Sequence, residues 1–337
     1  MGVRRGILFI GTLLVVRSFA FAQEALPSFT DVPETREEFG AIEDLRERGI
    51  IEGRPDGSFG PEDFVNRAEA VTIVVRAVAN VKNLPTLGNC FPDVRGKDWY
   101  VRPVCYAKDL EWVGGYPDGT FQPIRTVSKG EFLKILLNAY GTDLELLATF
   151  GEPVALDAQD TTQWYFPYLS YALASSMTIV DRDGNLHPGA SLTRGQVALL
   201  IHRFLLYREG QRNDTLVENA LRDVERALDA LPNLDTKEAM LATARARLFA
   251  WGALERMPEE VLIQATIKIS DAARALTRAF QALEEGQSSD ALRLTQEAYK
   301  QSDAAVSDSA YVQEHADTIR AMSHQLAENI RSPAPGE

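Results

Sequence analysis

The chain has 337 residues, of which 45% are hydrophobic and 25% are charged, and this composition is typical of about two globular domains. Its formal net charge is -13. Because so acidic a chain is a poor candidate for binding phosphates, we expect no nucleic-acid partner.

Residues 1–22 have the pattern of a secretory signal peptide. A basic start precedes an apolar stretch over 6–16, and "AFA" at 20–22 is a small-x-small cleavage pattern. We therefore expect cleavage after Ala22 and a secreted protein. The alternative is a retained amino-terminal anchor, which Arg17 disfavours because it interrupts the apolar run. No later segment is long and apolar enough for a transmembrane helix, so we predict none in the mature chain.

A repeated pattern follows the predicted leader. "FTDV" at 29–32 returns as "FPDV" at 91–94, and "GRPDGSFGP" at 53–61 returns as "GYPDGTFQP" at 115–123. The second copy follows the first at a constant shift of 62 residues. A more divergent third copy has its matching pieces at 156–158, 163–174, 181–188 and 193–196. The pattern predicts three tandem units, over 23–85, 86–150 and 151–212.

Each unit is predicted to be a helix, a loop and a second helix. In the first unit, apolar residues on one face predict the first helix over about 34–48. In the other two units this helix follows Trp99 or Trp164. An Asp-Gly turn dipeptide then lies in the loop, at 56–57, 118–119 and 183–184.

The second helix of each unit begins with the spacing of a capping box, in which two side chains each bond an amide near the other. The caps are Asn66, Ser128 and Thr193, and the partners three positions on are Glu69, Glu131 and Gln196. Between them, in the first helical turn, lies a cation: Arg67, Lys129 or Arg194. The positive end of the helix dipole disfavours a cation there by a few tenths to about 1 kcal/mol. Its recurrence in all three units therefore needs an explanation.

Two cysteines, Cys90 and Cys105, are the only ones in the chain. In a secreted protein an isolated pair favours one disulfide. On the loop-entropy model, such a short loop contributes roughly 3 kcal/mol. Metal binding is the weaker alternative, since no His lies near the pair, and we predict no metal and no cofactor.

From about residue 213 the turn motifs stop and Ala, Leu, Arg and Glu dominate. Pro232, Pro258 and Gly286 are breaks. The predicted helices lie near 215–231, 236–256, 259–285, 288–306 and 309–330. From Asn213 to the end there are 13 basic and 21 acidic residues, a net charge of -8. We predict an antiparallel helical bundle over 213–331 and a disordered tail over 332–337.

The three units resemble surface-layer homology (SLH) repeats. The F-x-D-V start, the aromatic first helix, the G-Y-P-D-G-T-F-x-P loop and the T-R-A-E-like start of the second helix carry the resemblance, over roughly 29–207. It implies an all-α fold, a pseudo-threefold trimer of helical hairpins. It also implies non-covalent binding of secondary cell-wall polysaccharide, often through an acidic pyruvate ketal, or of peptidoglycan and its linked polymers.

The resemblance and the helix dipole together suggest a role for the three cations. A helix N-terminus is a natural anion site, and a cation there becomes favourable when a carboxylate arrives. We predict that Arg67, Lys129 and Arg194 bind the ligand, with Arg67 and Arg194 the better candidates. The predicted ligand-binding set also includes the caps Asn66, Ser128 and Thr193, which would fix the geometry and could donate to sugar oxygens, and their partners Glu69 and Glu131. Trp99 and Trp164 could stack on sugars. The alternative is that each cation reaches water or pairs with an acidic residue of a neighbouring unit.

We therefore predict a secreted, non-enzymatic protein of the cell envelope, anchored to acidic cell-wall polysaccharide or a peptidoglycan-linked polymer. The bundle would be displayed or would contact a protein partner. Two alternatives stay open: a structural protein whose repeats bind another protein while the bundle self-assembles, and a wall-attached enzyme with its site in the bundle. No nucleophile elbow, phosphate loop or metal-ligand pair favours the enzyme.

Overall fold

The computed structural model describes residues 28–79, 83–85 and 89–332. The predicted signal peptide over 1–22, its cleavage site and residues 333–337 of the predicted tail lie outside the described residues. Within the described ranges the regular structure consists of eleven α-helices and short 3-10 segments, with isolated bridges and no strands. The prediction of an all-α fold is therefore confirmed.

The first six helices belong to the three repeated units. They are α1 (Phe39–Glu47), α2 (Arg67–Val78), α3 (Val101–Asp109), α4 (Lys129–Ala139), α5 (Phe166–Ala174) and α6 (Arg194–Arg208). The helix α1 begins later than predicted because turns precede it: the Arg36 amide donates to Pro33 O and the Phe39 amide donates to Arg36 O. The second helices begin directly after the predicted caps.

The main helix contacts run between units rather than within them. The helix α2 packs on α3, α4 packs on α5, and α6 packs back on α1. Each unit keeps the predicted order of helix, loop and helix, with residues 48–66 as the loop of the first unit, but its two helices do not pack on each other as a hairpin would. Each second helix finds its apolar partner in the following unit, and the third unit closes a ring onto the first.

A triangle of backbone hydrogen bonds lies at the centre of this ring. The Val65 amide donates to Leu192 O at 2.9 Å, the Leu192 amide to Val127 O at 3.1 Å, and the Val127 amide to Val65 O at 3.0 Å. All three side chains are buried. Each unit contributes one residue, which precedes its second-helix cap, so the triangle fixes where the three helix starts lie.

One aspartate in each unit anchors the loop that follows the Asp-Gly turn. Asp31 accepts hydrogen bonds from the amides of Phe59 and Gly60, both at 2.7 Å. Asp93 holds Phe121 and Gln122 in the same way, and Asp157 holds Leu186 and His187. The glycine of each turn has a positive φ, between 79° and 85°, which a glycine adopts without strain. The F-x-D-V sequence thus has a structural role, as the clamp of this loop.

The remaining helices form the predicted bundle. They are α7 (Asn213–Ala230), α8 (Thr236–Arg256), α9 (Val261–Glu284), α10 (Ser288–Asp308) and α11 (Gln313–Arg331). Each packs on the next, with short connections that make neighbours antiparallel, and α11 also contacts α7 and α9. The bounds agree with the predicted ones to within about four residues, inside the usual uncertainty of helix ends.

The bundle docks on the third unit through α8 and α5. Gly252 lies directly against the Ala174 carbonyl, so that a Cβ at this position would clash with the carbonyl oxygen. Arg245 is fully buried; it bonds both carboxylate oxygens of Asp223 and donates to Val154 O of the third unit at 3.2 Å. A continuous hydrophobic core runs through both parts, so they form one body.

Candidate functional site

All three predicted capping boxes are present. The side chains of Asn66, Ser128 and Thr193 accept from the amides of Glu69, Glu131 and Gln196, and each partner side chain bonds the cap amide in return. The amides at the first turns of α2, α4 and α6 are therefore bonded by side chains in the same way in all three units. The cation that follows each cap projects from a fixed position.

Each of these cations reaches into the loop of the next unit. Arg67 donates from Nε to Phe121 O at 3.1 Å and from Nη2 to Gly114 O at 3.0 Å. Arg194 donates from Nε to Phe59 O at 2.9 Å and from Nη2 to Glu52 O at 3.1 Å. Lys129 donates to Leu186 O at 2.6 Å. The cation in the first turn thus links neighbouring units by donating to backbone carbonyls, whereas the sequence pattern suggested a ligand, water or an acidic side chain as its partner.

Aromatic rings support the two arginines. The guanidinium of Arg67 lies 5.0 Å from the ring centre of Tyr116 and 4.9 Å from that of Phe121. That of Arg194 lies 4.5 Å from the ring centre of Phe59. Burial lowers the pKa of Arg67, Lys129 and Arg194 because it removes water from the charged form. An approaching anion would offset that loss.

The surroundings of Arg194 form an open cleft of about 490 Å³, here called the Arg194 cleft. Asn66 and Glu69 of the first unit line it, together with Trp99 of the second and Arg194 of the third. Phe64, which lies outside the repeated motifs, lines it as well. Trp99 is 62% exposed and Phe64 61% exposed, so two large rings face solvent beside a cation. All three units contribute to this one cleft.

Charges in the Arg194 cleft are largely paired, apart from Arg194. Arg54 pairs with Asp63, and Arg76 pairs with Glu52 at 3.0 Å. The Glu69 carboxylate is engaged in the capping box. Arg194 forms no ion pair within the described part of the chain, and its bonds go to neutral carbonyls. Its Nη1 donates to none of the described residues. Burial lowers the pKa of Arg194, and the nearby carboxylates of Glu69, Asp63 and Asp31 offset that effect only in part.

Arg67 occupies in the first unit the position that Arg194 occupies in the third, but its surroundings are different. Arg67 is only 7% exposed, and its Nη1 lies 3.9 Å from Glu131 Oε1. The same Glu131 oxygen contacts Arg125 Nη1 at 2.7 Å and the Tyr116 hydroxyl at 2.6 Å. Burial alone would raise the pKa of Glu131, but these bonds and the Ser128 amide hold it below its usual value. Arg67, expected to be among the better ligand residues, is thus packed against internal groups.

Trp164 stands beside this second place. A Cβ on Gly130, in the first turn of α4, would lie 3.6 Å from the Trp164 ring, and Lys134 Nζ lies 5.5 Å from its centre. Trp164 is half exposed. The structure therefore gathers Arg67, Ser128, Glu131 and Trp164 together, as it does the corresponding residues of the first cleft.

The third place, between Lys129 and the start of α6, lacks a tryptophan. Glu37 occupies the sequence position of Trp99 and Trp164, and its carboxylate pairs with Arg203 at 2.7 Å. His187, in the loop that Lys129 contacts, lies 2.6 Å from Asp181. Thr193 and Gln196 form the cap there without a carboxylate. The three places therefore share a backbone geometry and differ in side chains.

Cys90 and Cys105 form a disulfide, with Cα atoms 5.4 Å apart. Cys105 lies on α3, just after Trp99, so the bridge fixes the segment that carries one wall of the Arg194 cleft. Among the described residues no group of three or more His, Cys, Asp or Glu could hold a metal ion. No helix in the described ranges is long and apolar enough to cross a membrane.

Comparison with known proteins identifies the repeated segment. Residues 28–71 and 91–133 match the family described as the S-layer homology domain. The resemblance found in the sequence is thereby confirmed for the first two units. The third unit, which lies outside these matches, has the same aspartate clamp, capping box and place in the backbone triangle.

Relatives of known name match about half of the chain. A cellulosome-anchoring protein of Acetivibrio thermocellus is 28% identical over 174 residues, which are 50% of this chain and 38% of that protein. The middle cell wall protein of Brevibacillus brevis is 29% identical over 141 residues, 41% of this chain and 13% of that protein. An endoglucanase of Bacillus sp. (strain KSM-635) is 24% identical over 178 residues and 18% of its length. These similarities point to a secreted protein associated with the cell wall.

Proposed function

We propose that this chain, which carries S-layer homology domains, attaches to the cell wall by binding an acidic polysaccharide in the Arg194 cleft. The family match and the anchoring and wall-protein relatives support attachment to the wall in general. The acidic ligand, with a pyruvylated sugar as the first one to test, is the more specific part of the proposal. The role of residues 151–212 as a third SLH repeat belongs to it too.

One observation carries the proposal: an arginine without an ion pair among the described residues and two exposed aromatic rings line the same open cleft. A carboxylate can take up the free guanidinium edge of Arg194 in a charge-assisted hydrogen bond. Trp99 and Phe64 offer apolar faces that fit the C–H faces of sugar rings. Asn66 and Glu69 stay fixed by the capping box and can bond hydroxyl groups without reorganisation. Charge, stacking and preorganisation thus favour an anionic saccharide.

The other two places are assigned lesser roles. Arg125 and Glu131 fill the surroundings of Arg67, and the place at Lys129 has Glu37 instead of an aromatic ring. We therefore expect one main binding cleft. Arg67 and Lys129 chiefly link neighbouring units, since they donate hydrogen bonds to backbone carbonyls of the next unit.

Binding of purified wall polymer to the full chain tests this directly. The Arg194→Gln change should weaken binding at least about tenfold, because a charge-assisted bond is lost. Arg208→Gln, an exposed position on the same helix outside the cleft, is the matched control and should leave affinity unchanged. Polymer stripped of its pyruvyl groups should bind the unaltered chain as weakly as intact polymer binds the Arg194 variant. Undiminished binding by Arg194→Gln would reject the site, and indifference to pyruvyl removal would reject the acidic ligand.

We propose a non-enzymatic role for the bundle, as the part that is displayed or that contacts a protein partner. The endoglucanase match covers too little of that enzyme to transfer its activity. A cavity beside the bundle does collect ionisable groups, but within the described chain its one lining carboxylate, Glu152, pairs with Arg247 and Arg274. A hydrolase that uses a free acid and a free base is therefore not favoured at this place.

A further inference from the structure

A second cavity lies where the third unit meets the bundle. Its volume is about 410 Å³, within the range of small-molecule sites. The segment around Glu152 and Gln159 forms one side, and helices α8 and α9 form the others. Here it is called the seam cavity. It shares none of its lining residues with the Arg194 cleft.

Two helices line the seam cavity, and apolar side chains come from α8 alone of the two. On α8, Lys237, Met240 and Leu241 have the spacing of one helical face, and Met240 is exposed although it is apolar. On α9, the lining residues Arg274, Thr277, Arg278 and Gln281 likewise share one face, which is polar and basic. A ligand placed between them would meet the apolar surface of Met240 and Leu241 on α8 and cations on both helices.

The charge balance of the lining is positive, although the chain as a whole is acidic. Glu152 is the one carboxylate that lines the cavity among the described residues, and Arg274 and Arg247 both pair with it. Lys237 and Arg278 form no ion pair within the described chain. At one rim of the cavity, Thr236 donates to Glu284 and Gln281 donates to Glu285, so this rim is acidic. The positive region of the cavity therefore lies around Arg278.

We propose that the seam cavity binds a small organic anion with an apolar body. Its charged group bonds Arg278, with Lys237 as a second cation, and its apolar part covers Met240 and Leu241. Because the cavity has walls from both the third unit and the bundle, the bound anion also strengthens their contact.

Calorimetric titration of the full chain with octanoate, below its micelle concentration, tests the proposal. Octanol is the neutral ligand of equal length, and we expect it to bind at least about tenfold more weakly, because it lacks the charge-assisted bond. Acetate should also bind more weakly, because it lacks the apolar body. Equal affinity for octanoate and octanol, or no octanoate binding at all, would overturn the proposal.

Variants locate the site. Arg278→Glu should weaken octanoate binding at least about tenfold, and Met240→Asp should weaken it as well by placing a carboxylate in the apolar wall. Both positions are exposed, so both variants should fold, as circular dichroism and melting can verify. Lys300→Glu, on the exposed surface of α10 and outside the cavity, makes the same change of charge and should leave binding unchanged. Octanoate binding that falls equally in Arg278→Glu and Lys300→Glu would show a general charge effect and contradict the assigned site.

Discussion

Arg67 and Arg194 occupy the same position in two units of one fold, yet their surroundings differ. Both donate from Nε and Nη2 to two carbonyls of the next loop. Arg67 is then enclosed by Glu131, Tyr116 and neighbouring groups, whereas Arg194 borders an open cleft with two exposed rings. The same motif can therefore link neighbouring units in every unit, while its cation is accessible to a ligand in only one of them.

The largest effect expected concerns the arginines themselves. Arg67→Ala would leave the buried Phe121 carbonyl and the partly buried Gly114 carbonyl without this donor and open a void, and should lower the free energy of unfolding by about 3–5 kcal/mol. Arg194→Ala should lower it by only about 1–2 kcal/mol, because water in the cleft can replace the lost donors. Urea unfolding of the two variants measures this difference. Equal losses would remove the contrast between the two places.

The disulfide is expected to have the next largest effect. Cys90 and Cys105 are 15 residues apart, and closing such a loop stabilises by about 3 kcal/mol on the entropy model. Replacing both by Ser should lower the melting temperature and also weaken polymer binding, because the bridge holds the segment that carries Trp99. Reductant should lower the melting temperature of the unaltered chain and not that of the variant. Unweakened polymer binding by the double variant would show that the Trp99 wall does not depend on the bridge.

The Glu131→Gln variant tests how much the carboxylate next to Arg67 contributes to stability. The folded-state pKa of this carboxylate lies below the ordinary 4.5, so its stabilising contribution is present above pH 4.5 and is lost as pH falls through the folded value. Glu131→Gln should therefore cost about 1 kcal/mol near neutral pH and flatten the loss of stability in acid. Urea unfolding as a function of pH measures both. Glu218→Gln, at an exposed position on α7, should leave the profile unchanged; an unchanged profile for Glu131→Gln would show that this carboxylate is not held as described.

The smallest effect on stability, and a selective one on binding, is expected at Phe64. Phe64→Thr introduces the residue type found at the matching position 126 and should change stability by less than about 0.5 kcal/mol. Loss of an apolar face should weaken polymer binding by roughly fivefold to tenfold. Ile124→Thr is the control, since Ile124 is 85% exposed and does not line the cleft. Equal effects of the two changes on affinity would mean that Phe64 makes no special contact.

Much of the fold could be predicted because its signals are local. The capping boxes, the Asp-Gly turns and the breaks at Pro232, Pro258 and Gly286 each involve a few adjacent residues, and the helices begin and end near them. Ring closure was harder to predict. Ring closure depends on backbone hydrogen bonds between Val65, Val127 and Leu192. The side chains of these residues are ordinary apolar ones and do not indicate such bonds in the sequence.

The site could be predicted only in part, because it is assembled from different units. The cations, caps and tryptophans follow from repetition. That Arg194 would share a cleft with Asn66 and Trp99, rather than with its own unit, follows from how the ring closes. Phe64 had a usable signal, since an aromatic residue stands where the other units have Thr126 and Ser191. Enclosure of Arg67 by Arg125 and Glu131 is a matter of packing, which spacing does not reveal.

The helix α6 has a mechanical consequence. Its 15 residues begin at Arg194 and end beside Tyr207, whose hydroxyl lies 3.1 Å from Gly252 O and 2.7 Å from Glu255 in the bundle. A rod of about 22 Å thus runs from the cleft to the bundle. A pull on the bundle would therefore reach the residue at the cleft in part along this helix, in parallel with the contact between α5 and α8.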